Sequence, residues 1–228
     1  MKTMLSAIIV TASRKNAARA IKSCAFADEV VVIEKPSISD YAAARNEGIK
    51  KSRGEWVLFV DADETVPPEL AKEIAQKITS TIYTSYYLKR LDTFLGRTLY
   101  HGENGALKII RLAKRTAGTF SRPIHEVWQV KGRIGTLHHP LIHYPHPSLA
   151  VFLDKINRYS SLEAEYRHSR KIKSSLFHIL FFPPAKFIKN YLLLAGCLDG
   201  MPGAVMAIMM SLHSFLTWTK LYLLPKGR

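Results

Sequence analysis

The sequence predicts an α/β domain with a mostly parallel sheet covered by helices, followed by a basic helical region. Three observations lead to this fold class. Short apolar runs rich in β-branched residues alternate with helical segments over the first 80 residues. From residue 148 onward the pattern is helical, and the whole chain carries a net charge of +15. A length of 228 residues leaves room for one such domain and an appendage.

The first strands and helices can be located from residue type and spacing. Runs of β-branched and other apolar residues predict strands buried on both faces at 5–10, 29–33 and 56–60. Apolar spacing predicts a helix over 16–25, and Asp40 is a suitable N-cap for a helix that continues through Ile49. Pro67 precedes a further helix over 68–78. This alternation predicts helices packed on a parallel sheet.

The middle of the chain has a different residue pattern, which predicts short strands separated by glycine and polar turns. Such strands are predicted at 86–90, 106–112, 127–130 and 141–144. We therefore assign residues 1–147 to one domain, with halves of about 1–80 and 81–147. Residues 148–228 form a separate helical and basic region.

The cysteines and the N-terminus indicate a reducing compartment. Cys24 and Cys197 lie far apart and lack the spacing of metal ligands, which is typical of two plain thiols. The first ten residues carry one basic residue and lead directly into a polar stretch, so they predict a buried strand and not a signal peptide. We expect this domain to stay in the cytoplasm.

The C-terminal region combines positive charge with apolar stretches. After Glu165 the chain has one acidic residue, Asp199, against nine lysines or arginines. Two uncharged stretches cover 174–185, interrupted by Pro183-Pro184, and 200–219. This pattern predicts helices lying on an anionic membrane surface at the cytoplasmic face, peripheral or monotopic. A spanning segment at 200–219 is the second interpretation, and a helical subdomain packed on the core or on a dimer partner is the third; the oligomeric state is not predicted.

Two carboxylates follow the third buried strand directly. Asp61 and Asp63 stand at i and i+2 just past its end, where ligands bind in open α/β sheets. Such a pair can converge on a hard divalent cation, Mg²⁺ or Mn²⁺. The alternative is that Asp61, Asp63 and Glu64 begin a solvated turn and favour the N-terminus of the next helix.

The stretch AAARNEGIKKSRGEWVLFVDADETVPPE at 42–69 resembles the donor-binding core of family-two glycosyltransferases, in particular the lipopolysaccharide core glycosyltransferases. The resemblance continues in order through Arg111-Leu112, RPIHEVW at 122–128, GRIGTL at 132–137, LIHYPH at 141–146 and KINRYSSLEA at 155–164. It implies a GT-A fold and inversion at the anomeric carbon. The implied substrates are a nucleotide-sugar donor, UDP-sugar first, and a glycan or lipid-linked acceptor in the cell envelope.

The resemblance also implies roles for individual residues. Asp61 would contact the ribose or sugar of the donor, Asp63 would bind the metal with Asp61, and His143 would complete the metal or phosphate site. Glu126 stands where the general base is expected, with His125 as the next candidate. The residues assigned to the nucleotide end are Thr11, Glu34, Arg45, Asn46 and Asp61.

These assignments have alternatives. Arg45 and Asn46 can equally lie on a solvated helix face, Glu126 can pair with Arg122 at the surface, and His125 can cap a turn. The cluster of His138, His139, His143 and His146 has no cysteine nearby and lies in a proline-broken segment, which argues against structural zinc.

The chain departs from the family after its second strand. Members continue there with an aspartate-rich turn and a helix–strand unit, whereas EVVVI here leads directly into Glu34-Lys35-Pro36 and the helix after Asp40. A catalytically impaired homologue that acts as a membrane-bound scaffold is therefore the main alternative function. A basic nucleic-acid-binding protein is less favoured, because no nucleic-acid motif is present.

Overall fold

The computed structural model describes residues 3–37, 40–79, 82–105, 107–121, 127–145 and 148–224, apart from the side chain of Asn104. By their mutual contacts the residues form two compact units. The first, the sheet unit, comprises Met1–Leu91 and Leu107–His143. The second, the helical unit, comprises Asp92–Ala106 and Tyr144–Arg228.

Three parallel strands form the first part of the sheet, as the sequence predicts. They are β1 (Leu5–Thr11), β2 (Glu29–Glu34) and β3 (Trp56–Asp61), in the order β2-β1-β3. Thr11 pairs with Glu34, and Val10 pairs with Asp61. The carboxyl ends of the three strands therefore meet at one edge of the sheet.

Two helices connect these strands, α1 (Ala18–Ser23) and α2 (Tyr41–Lys51), and a third, α3 (Pro68–Lys77), follows them in the chain. Asp40 caps α2 as predicted, because its carboxylate accepts the backbone N–H of Ala43 at 2.8 Å. α2 packs closely on β1 through Gly48, where a Cβ atom would lie 2.4 Å from Cγ2 of Ile8. This close approach fixes the height of α2 above the strand ends.

The remaining strands are β4 (Glu64–Thr65), β5 (Ser85–Phe94), β6 (Arg97–Thr98), β7 (Lys108–Lys114), β8 (Gly118–Ser121), β9 (Val127–Val130), β10 (Ile134–Thr136) and β11 (Leu141–His143). The described part of the sheet runs β2-β1-β3-β7-β5-β11-β4, with β10 beside β5. β7 is antiparallel to β3 and β5, so the sheet is mixed beyond β3. β8 and β9 form a separate antiparallel pair.

The sheet unit has a hydrophobic core on each face of the sheet. Along β3, Trp56 and Leu58 belong to one core, while Val57 and Phe59 belong to the other. All four are fully buried, which explains why this strand is a continuous apolar run. On the second face, Phe59 packs edge-on against Phe120 with ring centroids 4.9 Å apart.

The helical unit contains α4 (Gly102–Gly105), α5 (Leu149–Ser169), α6 (Leu176–Ile188) and α7 (Gly200–Leu223), with a π-helical turn at Lys189–Leu193 and a 3₁₀ turn at Gly196–Asp199. α6 continues through Pro183 and Pro184, where the sequence analysis expected an interruption. The carbonyl of Pro183 accepts a hydrogen bond from Oγ of Ser211 on α7 at 2.7 Å, which ties the proline turn to its neighbour.

Polar anchors hold the helices of this unit together. The buried carboxylate of Asp199 accepts the backbone N–H groups of Tyr100 and His101. Lys220 on α7 donates from Nζ to four oxygens on α5, at 2.6–2.9 Å. These hydrogen bonds compensate the ammonium for the water that it loses on burial, and they fix α7 against α5.

One stretch of the described chain, Gly196–Leu223, is long and apolar enough to cross a bilayer. An 18-residue window within it has a mean hydropathy of 1.2, and 33% of that window is buried inside the protein. Length and composition of this kind are shared by spanning helices and by core helices of soluble proteins.

Candidate functional site

The candidate site lies at the carboxyl ends of β1, β2 and β3. Thr11, Glu34 and Asp61 end these three strands. Oγ1 of Thr11 donates to the carbonyl of Ser13 at 2.8 Å, which folds the chain into a turn directly after β1. Glu34 accepts the backbone N–H of Arg14 at 3.2 Å and remains exposed. The structure thus brings these three predicted site residues to the same edge.

The turn after β3 is organised by a buried glutamate. The Glu64 side chain is fully buried, and its carboxylate accepts the backbone N–H of Asp61 at 2.8 Å. This bond closes the turn Asp61-Ala62-Asp63-Glu64. Asp61 and Asp63 therefore take different partners and environments.

Asp61 is held by two arginines. Nη2 of Arg45 donates to Oδ1 of Asp61 at 2.8 Å, and Nη2 of Arg111 on β7 donates to Oδ2. Arg45 is itself buried on α2, and its guanidinium lies over the rings of Phe59 and Phe120 at 5.4 Å each. The interpretation of Arg45 as part of a solvated helix face is therefore wrong.

Neighbouring charges shift the pKa values of Asp61 and Glu64 in opposite directions. Burial by itself would raise the pKa of Asp61, but the charges of Arg111 and Arg45 outweigh it and hold the pKa well below its ordinary value. Burial raises the pKa of Glu64, and the negative charge of Asp61 raises it further. Asp61 is thus ionised at neutral pH, and Arg45 and Arg111 already balance its charge.

Asp63 has a different environment. Its side chain is 47% exposed, and Oδ2 lies 3.3 Å from Nε2 of His143. The short strand β4 creates this pair, because Glu64 is aligned with His143 in the antiparallel β4–β11 ladder. Burial would raise the pKa of Asp63, but the interaction with His143 lowers it below its ordinary value. The carboxylate of Asp63 is therefore accessible to a ligand and lies beside the imidazole of His143.

This pair fits a divalent cation that receives its other ligands from a substrate. Carboxylate oxygen and imidazole nitrogen are both metal ligands. No group of three or more His, Cys, Asp or Glu side chains gathers as a metal cage within the described ranges. The protein would therefore supply few ligands, as is usual for Mg²⁺ bound to phosphates.

Asn46 binds the protein itself. Its Nδ2 donates to the carbonyl of Phe120 and its Oδ1 accepts the N–H of Phe120, both at 2.9 Å. The side chain thereby fastens α2 to β8. Asn46 consequently links two elements of the sheet unit and does not lie on a solvated face.

The two candidates for acceptor chemistry, Glu126 and His125, lie outside the described residues, as does Arg122. Their segment connects β8 to β9, whose ends Ser121 and Val127 pair with each other. The connection therefore starts two residues after Phe120, the residue that Asn46 binds.

His138 and His139 bind Glu73 and not the pair of Asp63 and His143. The backbone N–H groups of His138 and His139 donate to the carboxylate of Glu73, and Nδ1 of His139 lies 2.9 Å from it. His146 lies outside the described residues. Cys24 is an ordinary buried thiol, because burial raises its pKa to about 11.

Sequence reasoning missed two contributors to the site. Arg111 entered only as part of a family resemblance, and Glu64 only as a turn residue. Both are buried charged residues, which need partners. A charged residue inside the otherwise apolar β7 run was the available signal for Arg111.

Comparisons with known proteins agree on one family. The model of "Glycosyl transferase family 2" matches residues 7–136. The lipopolysaccharide core biosynthesis glycosyltransferase LpsC of Rhizobium meliloti is 24% identical over 187 residues, which cover 80% of this chain and 69% of that protein. An uncharacterized glycosyltransferase of Rickettsia typhi is 26% identical over 259 residues, covering 97% of this chain and 87% of the relative.

A solved structure shows the same fold. The mannosyltransferase PcManGT from Pyrobaculum calidifontis, in complex with GDP-Man and Mn²⁺, superposes with a TM-score of 0.51 at 11% identity. The match covers 100% of this chain and 89% of that chain. It confirms the predicted α/β architecture of GT-A type.

Proposed function

The chain belongs to glycosyl transferase family 2, and from this premise we propose that it is an inverting glycosyltransferase that uses a nucleotide-sugar donor. The family supports glycosyl transfer as the reaction class. The proposed acceptor is a glycan or lipid-linked molecule of the cell envelope, because LpsC, a relative, is named for lipopolysaccharide core biosynthesis. A UDP-sugar is the first donor to test.

One observation carries the proposal: Asp63 faces His143 beside the neutralised Asp61, at the carboxyl edge of a parallel sheet. We assign Asp63 and His143 to a Mg²⁺ or Mn²⁺ ion. PcManGT, which has the same fold, was solved with Mn²⁺. The cation, when bound, neutralises the diphosphate that leaves the sugar.

The ionised carboxylate of Asp61 suits a hydroxyl of the ribose or sugar. Two arginines already balance its charge, so it serves better as a fixed hydrogen-bond acceptor than as a metal ligand. Thr11 and Glu34 end the two neighbouring strands and are assigned to the nucleotide, together with Arg45 acting through Asp61.

Glu126 is assigned as the general base, with His125 as the next candidate. The acceptor hydroxyl oxygen attacks C1 of the sugar, its proton passes to the Glu126 carboxylate, and the bond between C1 and the diphosphate oxygen breaks on the opposite face. Asn46 supports this segment from its N-terminal side by holding Phe120. Base catalysis of this kind contributes about 10²–10⁴-fold in rate.

The membrane is the proposed location of the reaction. α6 carries exposed apolar residues, and basic side chains flank it on both sides. We propose a peripheral or monotopic association with the anionic cytoplasmic face. The apolar stretch Gly196–Leu223 makes an integral anchor the alternative.

A catalytically impaired homologue is a second candidate function, and a specific observation favours testing it. The stretch of alignment with the Rickettsia typhi relative, 259 residues, is longer than this whole chain, so residues of the relative have no counterpart here. β2 also ends the described sheet order, where the sequence analysis found a helix–strand unit missing. Whether the chain is an active enzyme or an impaired homologue, we expect weak selectivity for the nucleotide base.

The proposal is tested by nucleoside diphosphate release from a panel of nucleotide sugars, with and without Mn²⁺. We expect turnover of one donor that rises with a rough lipopolysaccharide acceptor. Glu126→Gln should lower kcat by about 10²-fold or more and leave donor binding intact. Asp154→Asn, which removes an exposed carboxylate from α5, is the matched control and should behave as wild type. Donor binding without turnover of any donor would favour the impaired homologue.

A further inference from the structure

The helical unit contains a basic cavity that the proposed transfer reaction does not use. It has a volume of about 480 Å³ and lies among α5, α6 and α7. Arg167, Lys186 and Lys189 line it, against one lining carboxylate, Glu163. With Glu103, which holds both lysines from outside the lining, three cations stand against two carboxylates, and this excess of positive charge favours an anionic ligand.

The cations are held in place by the protein. Nε of Arg167 donates to Glu163 at 2.8 Å, and its guanidinium stacks 4.4 Å above the ring of Trp218. Lys186 and Lys189 both donate to Oε1 of Glu103, at 2.7 and 3.1 Å. A guanidinium fixed in this way retains four further N–H donors, and preorganised donors bind phosphate with little loss of side-chain entropy.

Two polar side chains of α7 also face the cavity. His213 and Ser214 line it, and neither side chain has a hydrogen-bond partner among the residues that the structure describes. They interrupt the uncharged apolar stretch 200–219, and both residues are partly exposed, so their polar groups are open to the cavity. A ligand that accepts hydrogen bonds would provide that partner.

One wall of the cavity is apolar and leads out onto an exposed surface. Phe182 and Trp218 form this wall, with ring centroids 5.1 Å apart. Phe182 is 40% exposed and contacts Phe177, which lies beside Phe181 at 4.8 Å. Phe177 and Phe181 are about 60% exposed, at 60% and 59%. A basic cavity thus opens beside a strip of exposed aromatic rings on α6.

We propose that this cavity binds the phosphate headgroup of a lipid, with the lipid chains lying along the exposed face of α6. The three cations and the polar groups of His213 and Ser214 match phosphate oxygens, and the aromatic strip matches hydrocarbon. Free phosphate would leave the aromatic wall without a function. The inference rests in part on the proposed membrane contact but does not involve the donor site.

The test uses the full chain and three soluble probes in calorimetry without metal or donor: dihexanoyl phosphatidic acid below its micelle concentration, dihexanoyl phosphatidylcholine and inorganic phosphate. Phosphatidic acid should bind saturably and most tightly. The double variant Lys186→Gln/Lys189→Gln should weaken it about tenfold or more, the size of one charge-assisted hydrogen bond. Ser214→Leu, which fills the cavity without changing charge, should weaken it as well.

The matched control is Lys171→Gln/Lys173→Gln, which removes the same charge from exposed positions of the same unit that do not line the cavity. It should change affinity by less than about threefold, because exposed charges are screened. Equal binding of inorganic phosphate and phosphatidic acid, or an equal loss in the control, would overturn the proposal. If the cavity variants fail to change lipid binding while wild type still turns over donor, this inference falls and the proposed function stands.

Discussion

The substitutions Asp61→Asn and Asp63→Asn are expected to destabilise the fold to very different extents, although the residues are two positions apart. Asp61→Asn leaves Arg45 and Arg111 facing one neutral amide. The NH₂ group of that amide would then direct an N–H donor at the N–H donor of one arginine. The side chains of the two arginines are only 4% and 11% exposed. Asp63→Asn alters a half-exposed pair with His143.

The magnitudes follow from burial. Removing one partner of a buried ion pair costs about 3–5 kcal/mol, and the Asp61 side chain keeps 28% exposure, so we expect about 2–3 kcal/mol. The Asp63 pair should be worth about 0–1 kcal/mol, as for exposed pairs. Because the folded pKa of Asp61 lies below its unfolded value, its contribution is complete above the unfolded pKa. It is lost as pH falls through the folded value, so neutral pH shows the whole effect.

The assay is urea unfolding followed by tryptophan fluorescence in a Trp218→Phe background. This change leaves Trp56 and Trp128, both buried in the sheet unit, as reporters. With a slope of about 2 kcal/mol per M, the Asp61→Asn midpoint should fall by roughly 1 M and the Asp63→Asn midpoint by less than about 0.5 M. Equal midpoints for the two variants would refute the assignment of Asp61 to a buried, arginine-held position.

Three further predictions follow from other contacts. Asn46→Ala removes both hydrogen bonds to Phe120 and should lower the free energy of unfolding by about 1–3 kcal/mol in the same urea assay; a change below 0.5 kcal/mol would contradict the link between α2 and β8. Burial would raise the pKa of Glu73, but the N–H groups of His139 and His138 lower it overall, so its stabilisation is present above pH 4.5 and declines as pH falls through the folded pKa. The Tm gap between wild type and Glu73→Gln should therefore be constant near neutral pH and shrink on acidification, whereas a gap that grows would be inconsistent. The full chain should float with anionic liposomes, and high salt should weaken but not abolish this binding, since apolar insertion is not screened; no flotation at any salt concentration would show that the C-terminal helices form an ordinary core.

The parallel part of the sheet was predictable because its signals are local. β1 and β3 are continuous apolar runs, since both faces of the sheet are covered, and Asp40 caps α2 through its own sequence neighbours. The same kind of reasoning could not find β4, because two residues have no periodicity. Its pairing with β11 depends on chain closure over about 80 residues.

In the candidate site, too, local sequence signals predicted some features, whereas others depend on contacts between distant parts of the chain. Asp61 and Asp63 were identified by position after a strand, which is a sequence property. The neutralisation of Asp61 by Arg111 depends on β7 lying antiparallel beside β3, and the contact of Asp63 with His143 depends on β4. Only the family resemblance anticipated His143. The course of α6 through Pro183 was also misjudged, because the contact with Ser211 on α7 is not visible in sequence.

The most direct test of the central claim is metal-dependent nucleotide binding at Asp63 and His143. Calorimetry should compare UDP and other nucleoside diphosphates, with and without Mn²⁺, on wild type, Asp63→Asn, His143→Gln and the control Asp154→Asn. We predict that wild type and control bind nucleoside diphosphates only in the presence of Mn²⁺, with little preference among the bases, and that both site variants lose about tenfold or more in affinity while keeping their fold. Mn²⁺-dependent binding of undiminished strength in Asp63→Asn would contradict the assignment of the donor site.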